Sequence, residues 1–342
     1  MTTRANLVKF DHQVAGHDQL LQLPTNDLIV VKPCTQTELV FYEQCRQYPG
    51  FEQFIPECYG SLRAATESEK HILEMDITNN NQVSQNDVTP VPLEIQKEWK
   101  NIIHGFTRPS ILDLKIGDKL YDEFADEVKK EKMILNAKGT TIETLALRIS
   151  GMKVYDPATK SYKIYNKRYG RMRTETDIID ALLAFLFPTS SYGQQSTPDT
   201  ILEDEERLSL EDSPQRIPAK KMSWILESFI QDLEDIQEFV TTHPALELTG
   251  VSILFVYEGD TAAANKVWKH MLEEDKMELA TEPEKEDEEE APPKMCDLRL
   301  IDFAHSRWKP TKTKQDQGIL NGINNMIGLL KQCLRQQQLE KL

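Results

Sequence analysis

Several charged residues stand where apolar runs end, and each could act on a phosphate ester. Lys32 closes the run Leu28-Ile29-Val30-Val31, and Pro33 follows it. A lysine at a strand end can pair with phosphate oxygens, or simply reach from the strand into water. In Ile111-Leu112-Asp113-Leu114-Lys115-Ile116-Gly117 apolar and charged residues alternate. On a strand, residues two apart share a face, so Asp113 and Lys115 lie together, opposite Leu112, Leu114 and Ile116. That carboxylate could orient a hydroxyl or hold a metal or a ribose. That ammonium could neutralise a phosphoryl group in transfer. The same pattern serves equally well as a solvated face with a cross-strand ion pair. Asp302-Phe303 follows the apolar Leu298, Leu300 and Ile301, which sets another carboxylate at a strand end. His305 nearby reads more simply as a hydrogen-bonding structural residue.

A second feature is electrostatic. Residues 108–173 hold fifteen basic and nine acidic side chains, a local charge of +6 inside a chain of net charge −16. A small polyanion would bind there, although alternating surface charge on a helix explains Asp122 to Glu131 almost as well. Few aromatic residues interleave with these bases, which disfavours a stacking platform for single-stranded nucleic acid.

Elements must position these groups. Patterning predicts strands over 28–32, 54–62, 71–77, 111–116, 251–257 and 298–303, and a hairpin of 145–155 and 160–165 around Asp156-Pro157. It predicts helices over 39–45, 119–138 (capped by Asp118), 174–187, 223–240, 262–274 and 318–335. Polar stretches at 79–97 and 188–218 read as insertions, the second a mobile one. Eleven acids against two bases in 273–290 read as a self-repelling loop, disordered over 273–295. Short strands come first, and helices with a few strands follow. That order indicates an α+β protein with a sheet-rich front lobe, 1–104, and a larger rear lobe, 105–342.

Composition narrows the function. With 342 residues, 39% hydrophobic and 28% charged, the chain has an ordinary soluble balance. Its net negative charge argues against a surface that binds nucleic acid or anionic lipid throughout. Five cysteines without a CxxC pair argue against a disulfide framework and a zinc cluster, and favour a reducing compartment. No run approaches the roughly 18 apolar residues of a membrane helix, and Met1–Asp11 lacks the apolar core of a signal peptide. The GxxxxGK[ST] and GxGxxG phosphate loops are both absent.

Pro109-Ser110-Ile111-Leu112-Asp113-Leu114-Lys115-Ile116-Gly117 fits PxxxDxKxG, the signature of the inositol polyphosphate kinase family. Further matches fall in family order: Val14-Ala15-Gly16-His17, Val31-Lys32-Pro33, Asn166 to Arg171, Ser252 to Gly259, and Ile301-Asp302-Phe303-Ala304-His305-Ser306. The resemblance spans nearly the whole chain. Within the family the sequence most resembles the fungal inositol polyphosphate multikinases, for its short length, its Asp-Phe-Ala-His and its acidic stretch before Asp302. The inositol hexakisphosphate kinases share Asp-Phe-Ala-His and are the alternative.

The resemblance implies a two-lobed relative of the protein kinases with ATP between the lobes. By position, Lys32 is similar to the ATP-phosphate lysine, and Asp113 to the motif aspartate beside the ribose. Lys115 resembles the lysine that reaches substrate and transferred phosphate. Asp302 resembles the Mg²⁺ ligand, with Ser252 as a second candidate. The adenine hinge falls near Lys100-Asn101-Ile102. Lys100 stands where the family usually has Glu, which is harmless if the hinge is read through backbone groups. Gly250 to Leu254 offers one serine where the family has two. Lys129, Lys130, Lys132 and Lys138 lie where the family binds inositol phosphates, with Lys167 and Arg171 in support. The implied activity is ATP- and Mg²⁺-dependent phosphorylation of inositol 1,4,5-trisphosphate to tetrakis- and pentakisphosphate. The resemblance also implies a nuclear and cytoplasmic location, and a scaffold role with a MADS-box partner in arginine-responsive transcription. The expected ligands are soluble inositol phosphates, with no direct nucleic acid or membrane contact and a monomeric chain.

Overall fold

The computed structural model describes residues 7–16, 19–24, 26–62, 96–195, 198–203, 216–278 and 294–342. The predicted strand 71–77, the insertion up to residue 95 and the acidic run 279–293 lie outside the described residues.

Two sheets carry the fold. The first has order β1-β2-β3-β5-β4, from β1 Val8–Lys9, β2 Leu21–Leu23, β3 Asn26–Pro33, β4 Cys58–Leu62 and β5 Gln96–Lys100. The second, six-stranded sheet has order β12-β11-β6-β7-β8-β9. Its strands are β6 Pro109–Ile116, β7 Leu147–Asp156, β8 Ser161–Tyr165, β9 Thr200–Glu203, β11 Ser252–Glu258 and β12 Cys296–Ile301. A two-stranded ribbon pairs β10 Leu246–Glu247 with β13 Arg307–Trp308. The chain passes from the first sheet to the second between Lys100 and Pro109.

The six-stranded sheet is buried by helices. Along Ala219–Thr242, Met222, Ile225, Leu226, Phe229, Ile230, Leu233, Ile236, Phe239 and Val240 are buried, the three-four spacing of one helix face. The 178–186 helix, Ile-Ile-Asp-Ala-Leu-Leu-Ala-Phe-Leu, is buried nearly all round, and each such Leu, Ile or Phe contributes about 1.5–3 kcal/mol. The closing helix Gln317–Glu340 presses against the end of β6. A Cβ at Gly322 would meet the Ala146 carbonyl oxygen at 2.4 Å, so glycine permits the approach.

Several expectations are corrected. The predicted helix 119–138 forms only over Glu127–Ala137, and its cap is Asp126, whose side chain accepts the Lys129 N–H. Loop residues before it are held elsewhere, because Asp122 is engaged by His305. The predicted strand 54–62 splits into a 3₁₀ turn, Glu52–Phe54, and β4, with Pro56 between them. In the stretch 188–218, of which 196–197 and 204–215 lie outside the described residues, the chain forms the short helix Ser191–Gln194 and β9, which pairs with β8 and extends the sheet. Residues 273–278 of the acidic stretch continue the helix Thr261–Glu278.

Candidate active site

A cleft of about 580 Å³ lies where the two sheets face each other, within the usual range of ligand sites. Its floor is β6. Leu112, Leu114 and Ile116 point away and are fully buried, while Asp113 and Lys115 line the cleft, as the alternation predicts. Opposite Asp113, β7 carries a bulge: Asp113 pairs with Gly151 and Leu114 with Ile149, so Ser150 is the extra residue. The N-terminal segment crosses Gly151 so closely that a Cβ there would lie 2.3 Å from the Val14 carbonyl oxygen. Lys153 Nζ donates to the Asp11 carbonyl at 3.3 Å. Phe10 to Gly16 thereby roof the cleft.

Ion pairs join both sheets at one end of the cleft. Asp302 Oδ1 meets Lys32 Nζ at 3.0 Å, and Asp302 Oδ2 meets Lys115 Nζ at 3.0 Å. Lys115 also donates to the Gly250 carbonyl at 2.6 Å. Lys32 has a second partner, Glu38 Oε1, at 3.0 Å. Burial would lower the Lys32 pKa, but Asp302 and Glu38 outweigh it and raise it. Burial would raise the Asp302 pKa, but Lys115 and Lys32 hold it well below the usual carboxylate range. Asp302 has φ +69°, a left-handed conformation that costs a non-glycine residue about 1–3 kcal/mol. The surroundings that hold it are aromatic. Phe303 stacks on Phe41 with centroids 4.5 Å apart, and its N–H reaches Glu38 Oε1 at 3.4 Å.

Glu38 was not singled out in the sequence, although a signal was there. Thr35-Gln36-Thr37-Glu38 has the spacing of a capping box. Thr35 Oγ1 does accept the Glu38 N–H at 3.2 Å. The glutamate side chain reaches Lys32 and the Phe303 N–H rather than the cap.

Asp113 sits deeper. Burial raises its pKa, Lys115 opposes the rise and Asp302 adds to it. The Ser252 and Ser150 hydroxyls also oppose the rise, and its Oδ1 is buried with no partner at hydrogen-bond distance. Beyond it cations converge. Lys115 pairs in register with Arg148 of β7, and Arg148 and Lys167 both line the cleft. The Arg148 pKa is lowered by burial and by Arg171. That of Lys167 is lowered by burial, Arg171, Arg148 and Lys115. Arg171 lies behind Arg148, and both donate to Asn136, to its side-chain oxygen at 3.0 Å and its carbonyl at 2.9 Å. The Nε atoms of Arg148 and Arg171 are buried and unpartnered. Cations crowded so closely suit a ligand that carries anionic charge. Arg148 was counted among the basic residues, but only strand pairing shows that it stands beside Lys115.

The other expected residues divide. Lys100 and Ile102 line the cleft at its apolar end, with Trp99 and Leu254. Lys100 Nζ lies 3.8 Å from Glu57, and Asn101 locks the turn by donating to the Asp27 carbonyl at 2.6 Å. Of the helix lysines, Lys129 Nζ is 3.5 Å from Nε2 of His305, which lines the cleft. Lys130 is paired with Glu127 at 2.8 Å, and Lys132 and Lys138 are exposed; none of the four lines the cleft, and Lys129 alone reaches a lining residue. Ser252 is fully buried opposite Lys115 in β11, with an unpartnered Oγ, and is not among the lining residues. Among the described residues no three His, Cys, Asp or Glu side chains gather to hold a metal ion. None of the described helices is long and apolar enough to cross a membrane.

The inositol polyphosphate kinase family model matches residues 98–331. The chain belongs to the inositol polyphosphate kinase family. This kinase is 24% identical to the inositol polyphosphate multikinase of Schizosaccharomyces pombe over 333 residues, covering 95% of this chain and 97% of the relative. It is 26% identical to the Saccharomyces cerevisiae multikinase, covering 96% and 99%. The human multikinase is 25% identical over 270 residues, covering 74% of this chain and 52% of the human protein. The crystal structure of the S. cerevisiae multikinase Ipk2, in complex with ADP and Mn²⁺, superposes with a TM-score of 0.60 at 23% identity. The match covers 90% of this chain and 99% of that one. The kinase-like α+β fold expected from the sequence is therefore the fold observed.

Proposed function

We propose that this kinase transfers the γ-phosphoryl group of ATP to hydroxyls of soluble inositol phosphates, converting inositol 1,4,5-trisphosphate to tetrakis- and then pentakisphosphate. One observation carries the reading. A cleft holds Lys32, Lys115 and Asp302 at one point, and the mutually repelling Arg148, Lys167 and Arg171 beside it. The first set suits a nucleotide triphosphate, the second a ligand with several phosphates.

The donor set also fits a hard divalent cation. Asp302 lines the cleft, as Asp113 and Glu38 do, and Mg²⁺ typically takes one or two carboxylates together with substrate phosphates. Bound there, Mg²⁺ would supply charge neutralisation of the phosphates. The protein's own groups do the rest. Lys32, held by Glu38, offsets phosphate charge on the nucleotide side. Lys115 stands between Asp302 and Arg148, where a phosphoryl group in flight would need a cation. Asp113 accepts from a ribose hydroxyl, and the Lys100–Ile102 turn meets adenine. Arg148, Lys167 and Lys129 hold inositol phosphates, with Arg171 behind Arg148. Catalysis of this kind is mostly positioning and electrostatics.

The test mixes purified protein, Mg-ATP and inositol 1,4,5-trisphosphate and separates products by anion exchange. Stepwise tetrakis- and pentakisphosphate are expected, absent with Lys115→Ala and Asp302→Ala. Turnover of hexakisphosphate without turnover of the trisphosphate would move the assignment to pyrophosphate synthesis.

A further inference from the structure

This mechanism uses Lys129 but leaves unused the two residues behind it, His305 and Asp122. His305 Nδ1 lies 2.6 Å from Asp122 Oδ2, and His305 Nε2 lies 3.5 Å from Lys129 Nζ. An ammonium group only donates, so a hydrogen bond from Lys129 makes Nε2 the acceptor. The imidazole proton then sits on Nδ1, which donates to Asp122. The carboxylate cannot turn away, because its Oδ1 accepts the Phe124 N–H at 3.0 Å. Arg307 flanks the pair: its guanidinium is 3.9 Å from Asp122 Oδ2 and lies over the Phe124 ring at 4.0 Å.

The other end of the same helix is fixed too. Asn136 holds Arg148 and Arg171, and Asp126 caps the first turn through the Lys129 N–H at 2.7 Å. The helix is thus tied to the site at both ends, through Lys129 at one and the arginine cluster at the other. Of its lysines only Lys129 is bonded to a cleft residue.

We infer that Asp122 is a positioning residue for substrate recognition: it fixes His305 as the Nδ1–H tautomer, and His305 holds the Lys129 ammonium at the cleft mouth. A lysine side chain is long and loses rotamer freedom when it binds. Parking it on a fixed imidazole removes part of that cost beforehand. A phosphate oxygen is charged and a better acceptor than neutral imidazole nitrogen, so an arriving inositol phosphate takes the ammonium over. This rests on the reading that Lys129 meets substrate phosphate.

The experiment uses the full chain labelled with ¹⁵N-histidine. In two-bond nitrogen–proton spectra at neutral pH, His305 (assigned by its loss in His305→Gln) is expected to show protonated Nδ1 and bare Nε2. Asp122→Ala should shift that pattern toward Nε2–H. With inositol 1,4,5-trisphosphate, Asp122→Ala should raise KM about 10-fold, the loss of one charge-assisted hydrogen bond, with KM for ATP unchanged. In a Lys129→Ala background the same substitution should add little, since coupled residues are not additive. Should Asp122→Ala fail to fold, the His305→Gln and Lys129→Ala pair supplies the same double-mutant comparison. An Nε2–H tautomer in the wild type, full additivity with Lys129→Ala, or an equal rise in KM for ATP would overturn the inference. If the wild type turns over no inositol phosphate, the functional reading fails, and the tautomer spectra still decide what Asp122 does to His305.

Discussion

Replacing Glu38 by Gln tests the link between the N-terminal sheet and the site. The substitution keeps the side-chain shape and an oxygen for the Phe303 N–H, and deletes only the charge. The pair it weakens is shielded: the Glu38 side chain is 2% exposed and that of Lys32 18%. Two unit charges at that 3.0 Å separation attract by about 5 kcal/mol at an effective dielectric of about 20. Desolvation takes back much of that, and Lys32 keeps Asp302 as a partner. The expected net loss is therefore about 1.5–3 kcal/mol, the range for hydrogen bonds to charged groups. In urea unfolding that loss should appear as a lower midpoint at constant slope. In steady-state kinetics kcat/KM for ATP should fall about 10- to 100-fold, because Lys32 is no longer tethered to the 36–45 helix. Glu43→Gln, an exposed site on the same helix, is the control and should change neither. Equal midpoints and equal kcat/KM for the two variants would refute the claim that Glu38 positions Lys32.

Other substitutions probe the remaining parts. Gly151→Ala places a methyl against the Val14 carbonyl, so the roof of residues 10–16 must lift. The cost should be about 1–3 kcal/mol, with faster proteolysis near residue 14; an unchanged cleavage pattern would contradict the packing. Arg148→Ala should raise KM for inositol phosphate about 10-fold or more, while the exposed Lys132→Ala and Lys138→Ala stay near wild type. Equal effects of all three would show that general charge, not a built site, binds substrate. Asp232 tests pH dependence. Burial pushes its carboxyl up to about 6, with Asp297 and Asp235 adding to the rise and Arg299 opposing it. A raised folded-state pKa contributes stability below the unfolded value, and that contribution is lost as pH rises toward about 6. Asp232→Asn should therefore be more stable than wild type by about 1–2 kcal/mol at neutral pH and level with it near pH 4. Urea melts at the two pH values check the sign.

The elements that carry strong periodicity were legible. The 219–242 and 317–340 helices, the 147–165 hairpin and the Asp113/Lys115 face all follow from spacing within a few residues. The site was legible where a residue sits in a local motif, as Lys32, Asp113, Lys115 and Asp302 do. It was not legible where the cleft depends on pairing. Arg148 lines the cleft because β7 lies beside β6 in one register. Glu38 lines it because its side chain turns from the helix cap to Lys32. The charged run 119–138 read as a single helix because its charges have helical spacing. Its first third is instead a loop, since Asp122 is drawn to His305 and Arg307, far ahead in the chain.

The strand order also says when during synthesis the enzyme can first work. β6 lies between β7 and β11, and β11 pairs in turn with β12. A ribosome that has released Asp113 has therefore made one edge-exposed strand and no site. The roof segment waits for Gly151, and Lys32 and Lys115 wait for Asp302, which follows Lys115 by 187 residues. Such long-range closure folds slowly, and through most of translation the two lysines lack the carboxylate they share. Truncated chains that end before Asp302 are thus expected to be inert as catalysts, and a stalled nascent chain would consume no nucleotide.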